Sequence, residues 1–146
     1  MGGEPTVAHE RSASASLHLP EGVTMQLLAG EEVVFSSGKK WLHPLFDLEP
    51  FFASGPVRPA QTRLVDRITG RAAAFLVVRL GIPRLGTLVL SRRAIPVLER
   101  FGVEHECGEV VDRVKCATED LLAEVEDVEA AWSILQARRA RALASK

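Results

Sequence analysis

The stretch RLVDRITGRAAAFLVVRLGIPRLGTLVLSRRAIPVLERFGVEHEC, residues 63–107, decides the fold. Arg63 to Asp66 reads as a short strand, and from Thr69 the sequence turns helical. Ala72, Ala73, Ala74, Phe75, Leu76, Val77, Val78 and Leu80 make that helix apolar on nearly all sides, as expected of one buried against a sheet. Gly81 ends it and Pro83 prevents its resumption. Gly86 to Leu90 is a continuous apolar run, the pattern of a central strand buried on both faces. Ser91 is placed to cap a helix from Arg92 to Phe101, within which Pro96 would introduce a kink. Gly102 closes that helix, and Val103 to Cys107 follows as a strand. Strand, helix, strand, helix, strand predicts a parallel α/β unit whose strand-to-helix turns are the usual place for a ligand.

Working outward, Val23 to Ala29 and Val33 to Ser36 form a hairpin around Gly30-Glu31-Glu32. Residues 36–40 break the pattern, and an apolar helix runs from Trp41 to about Phe52 with Pro44 in its first turn. Residues 54–60 are a loop. Downstream, helices are predicted over Ala117–Val125 and Val128–Leu143, the second beginning acidic and ending basic in step with its dipole. The order ββα-βαβαβ-αα predicts a mixed sheet with helices on both faces. Three segments result: a flexible arm over residues 1–20, an α/β domain over 21–127 and a helical extension over 128–146.

At 146 residues the chain suits one domain with its own core. A formal net charge of −1 provides no global attraction to nucleic acid or an anionic membrane. Tyr is absent and other aromatics are few, which argues against a base-stacking platform. Two cysteines, Cys107 and Cys116, fit a reducing compartment better than a disulfide scaffold. No run is long enough to cross a bilayer, and the first twenty residues lack the basic start and apolar core of a secretory signal. They match the Met-Gly-x-x-x-Thr myristoylation pattern, but Glu4 and Pro5 make that a coincidence. The expectation is a cytoplasmic protein.

Three groups carry candidate chemistry. Asp66, Thr69, Gly70 and Arg71 mark the predicted end of one strand and the start of the buried helix, where free N–H groups favour an anion or a polar head group. The plainer account is a capped helix with a solvated Arg71. Ser91-Arg92-Arg93 forms the adjacent turn; with no histidine at a recognisable spacing, Ser91 reads as a cap rather than a nucleophile. Cys116 precedes a helix and follows Lys115, and both neighbours favour the thiolate. It is the best nucleophile candidate, with Glu119 beside it; a small packed cysteine is the plainer account. His105 and Cys107 fall on one side of a strand but lack the spacing of a preformed zinc site.

The residues quoted above resemble a family of small prokaryotic proteins of unknown function with a cytidine-deaminase-like fold. The resemblance covers roughly Val23 to Asp127. It rests on Gly38-Lys39, Pro44-Leu45-Phe46-Asp47-Leu48, Val65-Asp66-Arg67-Ile68-Thr69-Gly70-Arg71-Ala72-Ala73-Ala74, Ser91 with Ala94 and Leu98, and Cys116 with Glu119. The Asp-x-x-x-Gly-Arg-Ala-Ala element is similar to one in the accessory sulfurtransferases of formate dehydrogenase. The resemblance implies a three-layer α/β/α fold with a mixed sheet, plus a C-terminal helix. Zinc deaminases carry His/Cys-x-Glu and Pro-Cys-x-x-Cys at two helix starts. Here those places hold Asp66 to Arg71 and Ser91 to Ala94, without thiol or imidazole, so neither zinc nor deamination by that route is expected. The family's usual Cys-Pro-Met-Glu is Cys116-Ala117-Thr118-Glu119 here.

Two functions follow as expectations. The first is binding of a small polar or anionic molecule by Lys40, Asp66, Gly70, Arg71, Ser91 and Glu119, with Cys116 and Asp66 as candidate catalytic groups and no cofactor. The second is a non-catalytic interaction or assembly module, compatible with a homo-oligomer, using Trp41, Phe51, Phe52 or Trp132 as an exposed patch.

Overall fold

The computed structural model describes residues 17–114 and 117–144. Two strands, β1 (Met25–Ala29) and β2 (Glu32–Ser37), form the predicted antiparallel hairpin. Helix α1 (His43–Ala53) follows, with Pro44 in its first turn where the missing N–H breaks no bond. Strand β3 (Thr62–Thr69) returns antiparallel to β1. Helix α2 (Arg71–Leu80), strand β4 (Arg84–Ser91), helix α3 (Ile95–Arg100) and strand β5 (Glu104–Val111) then complete the βαβαβ run. Helices α4 (Ala117–Leu121) and α5 (Val128–Ala144) end the described chain. The sheet order is β2-β1-β3-β4-β5, with β3, β4 and β5 mutually parallel.

Helix α2 is the hub of the core. Its residues from Arg71 to Val77 are all buried, and α1, α3 and α5 pack around it, which is why its sequence is apolar on every side. Gly81, at φ +81°, supplies the left-handed residue that stops it. Its apolar residues share one cluster with Met25, Leu27, Leu64, Leu85 and Leu90 of the sheet, Leu45 and Leu48 of α1, Leu98 of α3 and Leu135 of α5. A smaller cluster of Leu17, Leu19 and Val65 lies apart from it.

These clusters correct one expectation. Among the described residues the helices gather on one face, while the other carries the Leu17–Leu19 segment. Right-handed crossovers through β3, β4 and β5, laid down in one direction across the sheet, must put α2 and α3 on the same side. Leu17 and Leu19, read as part of the arm, are buried. Leu135, read as part of an extension, is fully buried in the main core. No described helix is long and apolar enough to cross a membrane.

Candidate functional site

Strand β3 runs farther than its sequence suggested. Asp66 pairs with Met25 on one side and Thr87 on the other, and the ladder to β4 continues through Ile68–Val89 to Thr69–Leu90. Asp66 and Thr69 are therefore strand residues, not members of a strand-to-helix turn. Helix α2 starts one residue later than Gly70, which occupies the cap position with no side-chain cap. The β-branched Ile68 and Thr69 favour continuing the ladder over entering the helix.

This extension carries Asp66 into the wall of a cavity of about 170 Å³, lined by Thr24, Lys39, Lys40, Trp41, Pro44, Asp66, Arg67 and Ile68. The cavity lies where the start of β1 meets β3 and the turn after β2. Gly38 lets that turn pass tightly: a Cβ there would lie 2.5 Å from the Gly22 carbonyl oxygen. The Thr24 hydroxyl holds the turn from the other side, donating within reach of the Lys39 carbonyl at 2.6 Å and the Ser37 carbonyl at 3.1 Å. Trp41 follows with φ +57°, a left-handed conformation that a bulky side chain adopts only under external constraint. The constraint is packing: its ring meets His43 edge-on at 5.0 Å and Phe46 at 5.8 Å. Such backbone strain concentrates at ligand sites.

Charge is distributed unevenly around the cavity. The Lys39 ammonium is committed to Asp47 at 2.8 Å, and Arg67 donates to the Val23 carbonyl at 2.7 Å. Lys40 is exposed at the rim and has no acidic partner among the described residues. Asp66 keeps part of its surface accessible, yet protein crowds its carboxyl closely. Desolvation raises its pKa from 3.8 to about 7, against the opposing hydrogen bonds from Thr69 and the Arg67 amide. That amide, 2.9 Å from Asp66 Oδ1, also serves the Thr24 carbonyl, so its support for the carboxylate is shared.

The other expected site residues lie elsewhere. Arg71, the first residue of α2, is buried, its guanidinium donating to the carbonyls of Leu122, Arg93 and Val125 and pairing with Glu126 at 3.1 Å. It ties the α4–α5 connection to the core and does not line the cavity. Gly70 is buried, with its carbonyl accepting from the Ala74 amide. Ser91 is the last residue of β4, and its Oγ accepts from the Arg93 amide at 3.1 Å. The helix it was expected to cap begins only at Ile95, so Pro96 falls in the first turn and causes no kink. Cys116 lies outside the described residues, as does the Glu119 side chain. His105 rests against the Val103 carbonyl, and Cys107 is half-buried against the core. Among the described residues no three His, Cys, Asp or Glu side chains gather as a metal site would require.

Beyond Lys40 and Asp66, the six other residues lining the cavity, Thr24, Lys39, Trp41, Pro44, Arg67 and Ile68, were not expected as site residues from sequence. Trp41 had been assigned to an exposed patch with Phe51, Phe52 and Trp132, but all four pack partly buried against the main core.

These features define a mixed α/β domain built on a five-stranded sheet, with a small cavity at the junction of β1 and β3. The chain belongs to the family described as TM1506, domain of unknown function (DUF1893), which matches residues 15–138. A crystal structure of a DUF1893 family protein from Thermotoga maritima is similar to it, with a TM-score of 0.73 at 20% sequence identity and 88% of each chain covered. At that identity the likeness carries the fold alone. No curated protein matches the chain.

Proposed function

We propose that the chain is a zinc-independent domain of the cytidine-deaminase-like type that binds a small anionic molecule, with Lys40 and Asp66 as its polar contacts. The sheet order, a hairpin followed by a βαβαβ run, supports that fold in its topology, with the described helices on one face of the sheet rather than in three layers. The observation that carries the function is the joint presence of Lys40, Trp41 and Asp66 in one cavity. Lys40 supplies a cation, and the strained Trp41 supplies a flat apolar wall. A volume of about 170 Å³ is below the usual range for whole drug-sized ligands, so the cavity suits one ring or a compact head group. Asp66, about half protonated near pH 7 and more so below it, leaves the positive charge of Lys40 and Arg67 uncancelled in its neutral form. Cys116 joins this reading only as a candidate nucleophile.

Isothermal titration with benzoate and phenyl phosphate, against benzamide and phenol, tests the reading. The two anions bind, the neutral analogues bind at least tenfold more weakly, and Lys40→Ala removes the difference. Equal binding of charged and neutral probes, or a Lys40→Ala variant that behaves as the parent, overturns it.

A further inference from the structure

A line of oxygens runs inward from the cavity into the sheet. Asp66 Oδ2 lies 3.1 Å from Thr69 Oγ1, which lies 3.0 Å from Thr87 Oγ1, which lies 3.0 Å from the Val89 carbonyl oxygen. Thr69 and Thr87 are both fully buried, so water cannot supply a missing partner. With every one of these three contacts filled as a hydrogen bond, the line needs three protons. Each hydroxyl carries one and the carbonyl carries none. The third proton therefore has one source, the Asp66 carboxyl.

We propose that Asp66, Thr69 and Thr87 form a directional proton chain in which Asp66 is held as the neutral acid, donating inward, and that this proton makes the cavity an anion-accepting site. The inference rests on the cavity being a ligand site and names how that site is switched. In the protonated state Asp66 donates to Thr69, Thr69 to Thr87, and Thr87 to the Val89 carbonyl. On ionisation the proton leaves Oδ2 for solvent and the chain reverses: Thr87 donates to Thr69 and Thr69 to the carboxylate. Val89 then loses the Thr87 hydroxyl, and a buried charge replaces a neutral group. The raised pKa of Asp66 comes from burial of its carboxyl, while the Thr69 hydrogen bond, donated to the carboxylate in the ionised chain, works against it.

The surroundings allow this proton to decide the cavity's charge. Lys39 is neutralised by Asp47, while Lys40 and Arg67 line the cavity. His43 of α1 stands behind Trp41. Strands β1 and β4 present Met25 and Thr87 opposite Asp66, and neither titrates. With Asp66 neutral the cavity is cationic; with Asp66 ionised, one of the two positive charges is cancelled.

The chain is tested without ligand by following the Asp66 Cγ resonance against pH in the parent, Thr87→Val and Thr87→Ser. Thr87→Val deletes two hydrogen bonds of the neutral chain but one of the ionised chain, so the Asp66 midpoint falls, and Thr87→Ser restores it. A midpoint that stays put or rises in Thr87→Val shows that the proton does not sit as proposed. Benzoate affinity, measured separately from about pH 5 to about pH 9, falls about tenfold as Asp66 ionises, and Asp66→Asn flattens that profile. A profile that stays sloped in Asp66→Asn overturns the switch. Because the titration needs no ligand, loss of benzoate binding alone counts against the site and leaves the chain standing.

Discussion

Asp66 and Thr87 are direct register partners across the parallel strands β3 and β4, and the single hydroxyl of Thr69 joins their side chains. This desolvated acid affects folding as well as any ligand. Its pKa is about 7 in the folded chain and near 3.8 when exposed, so the folded state holds its proton more tightly. The contribution to stability is complete below the unfolded pKa and is lost as pH rises through the folded one. Urea denaturation is expected to show stability falling between about pH 4 and about pH 7, by at most ~1.4 kcal/mol per pH unit from this group. Asp66→Asn, whose amide donates to Thr69 as the acid does, removes that slope. A slope unchanged in Asp66→Asn shows that another group carries it.

Arg71 is a structural clamp. Its donors meet three backbone carbonyls and one carboxylate, and its guanidinium lies 5.3 Å from the Phe75 ring centre. Arg71→Met leaves buried carbonyls unsatisfied and is expected to cost about 3 kcal/mol or more. Arg71→Lys recovers little, because one ammonium cannot reach acceptors spread over Arg93, Leu122 and Val125. Hydrogen exchange locates the effect: amides of residues 122–131 lose protection before those of β3 and β4. Uniform loss across the sheet contradicts a clamp confined to the C-terminal connection.

Gly38 controls the cavity through a backbone contact. An alanine Cβ would press on the Gly22 carbonyl oxygen at 2.5 Å, and neither partner is a flexible side-chain end. Gly38→Ala must therefore displace the turn bearing Lys39, Lys40 and Trp41, at a cost of about 1–3 kcal/mol. Calorimetry at a temperature where the variant is folded should show benzoate binding weakened at least tenfold. Parent-like affinity means that the turn's position does not set the site.

The hairpin, α1, α2 and α5 were legible because each carries a periodicity or breaker confined to its own residues. Ends that depend on neighbours were not. Strand β3 extends to Thr69 because β4 offers partners at Val89 and Leu90, and local propensity contains no record of that pairing. Lys40 and Asp66 stood out as polar residues at breaks in the pattern. Thr24 and Trp41 did not, since they reach Asp66 only through the antiparallel pairing of β1 with β3, across the intervening α1. Ser91 and Arg71 misled for a related reason. A residue type suited to ligands is equally suited to a buried backbone acceptor, and tertiary packing chooses between them.

Helix α5 belongs to the core rather than to a separable extension. Leu135 and Ala131 are fully buried, Trp132 meets Phe46 at 5.7 Å, and the Arg79 guanidinium stacks 3.7 Å above the Trp132 ring. These contacts cover a side of α2 that is otherwise apolar and exposed to water. Leu135→Ala is expected to cost about 3 kcal/mol through lost burial and the cavity left behind. Trp132→Ala should cost a similar amount, because it removes both the aromatic contact and the cation–π partner. The two residues pack on one helix face, so the double variant is expected to fall short of the sum of the singles. Urea denaturation of the four proteins decides the matter. If Leu135→Ala and Trp132→Ala each cost less than about 0.5 kcal/mol, as ordinary surface substitutions do, α5 is an appendage and α2 is stabilised without it.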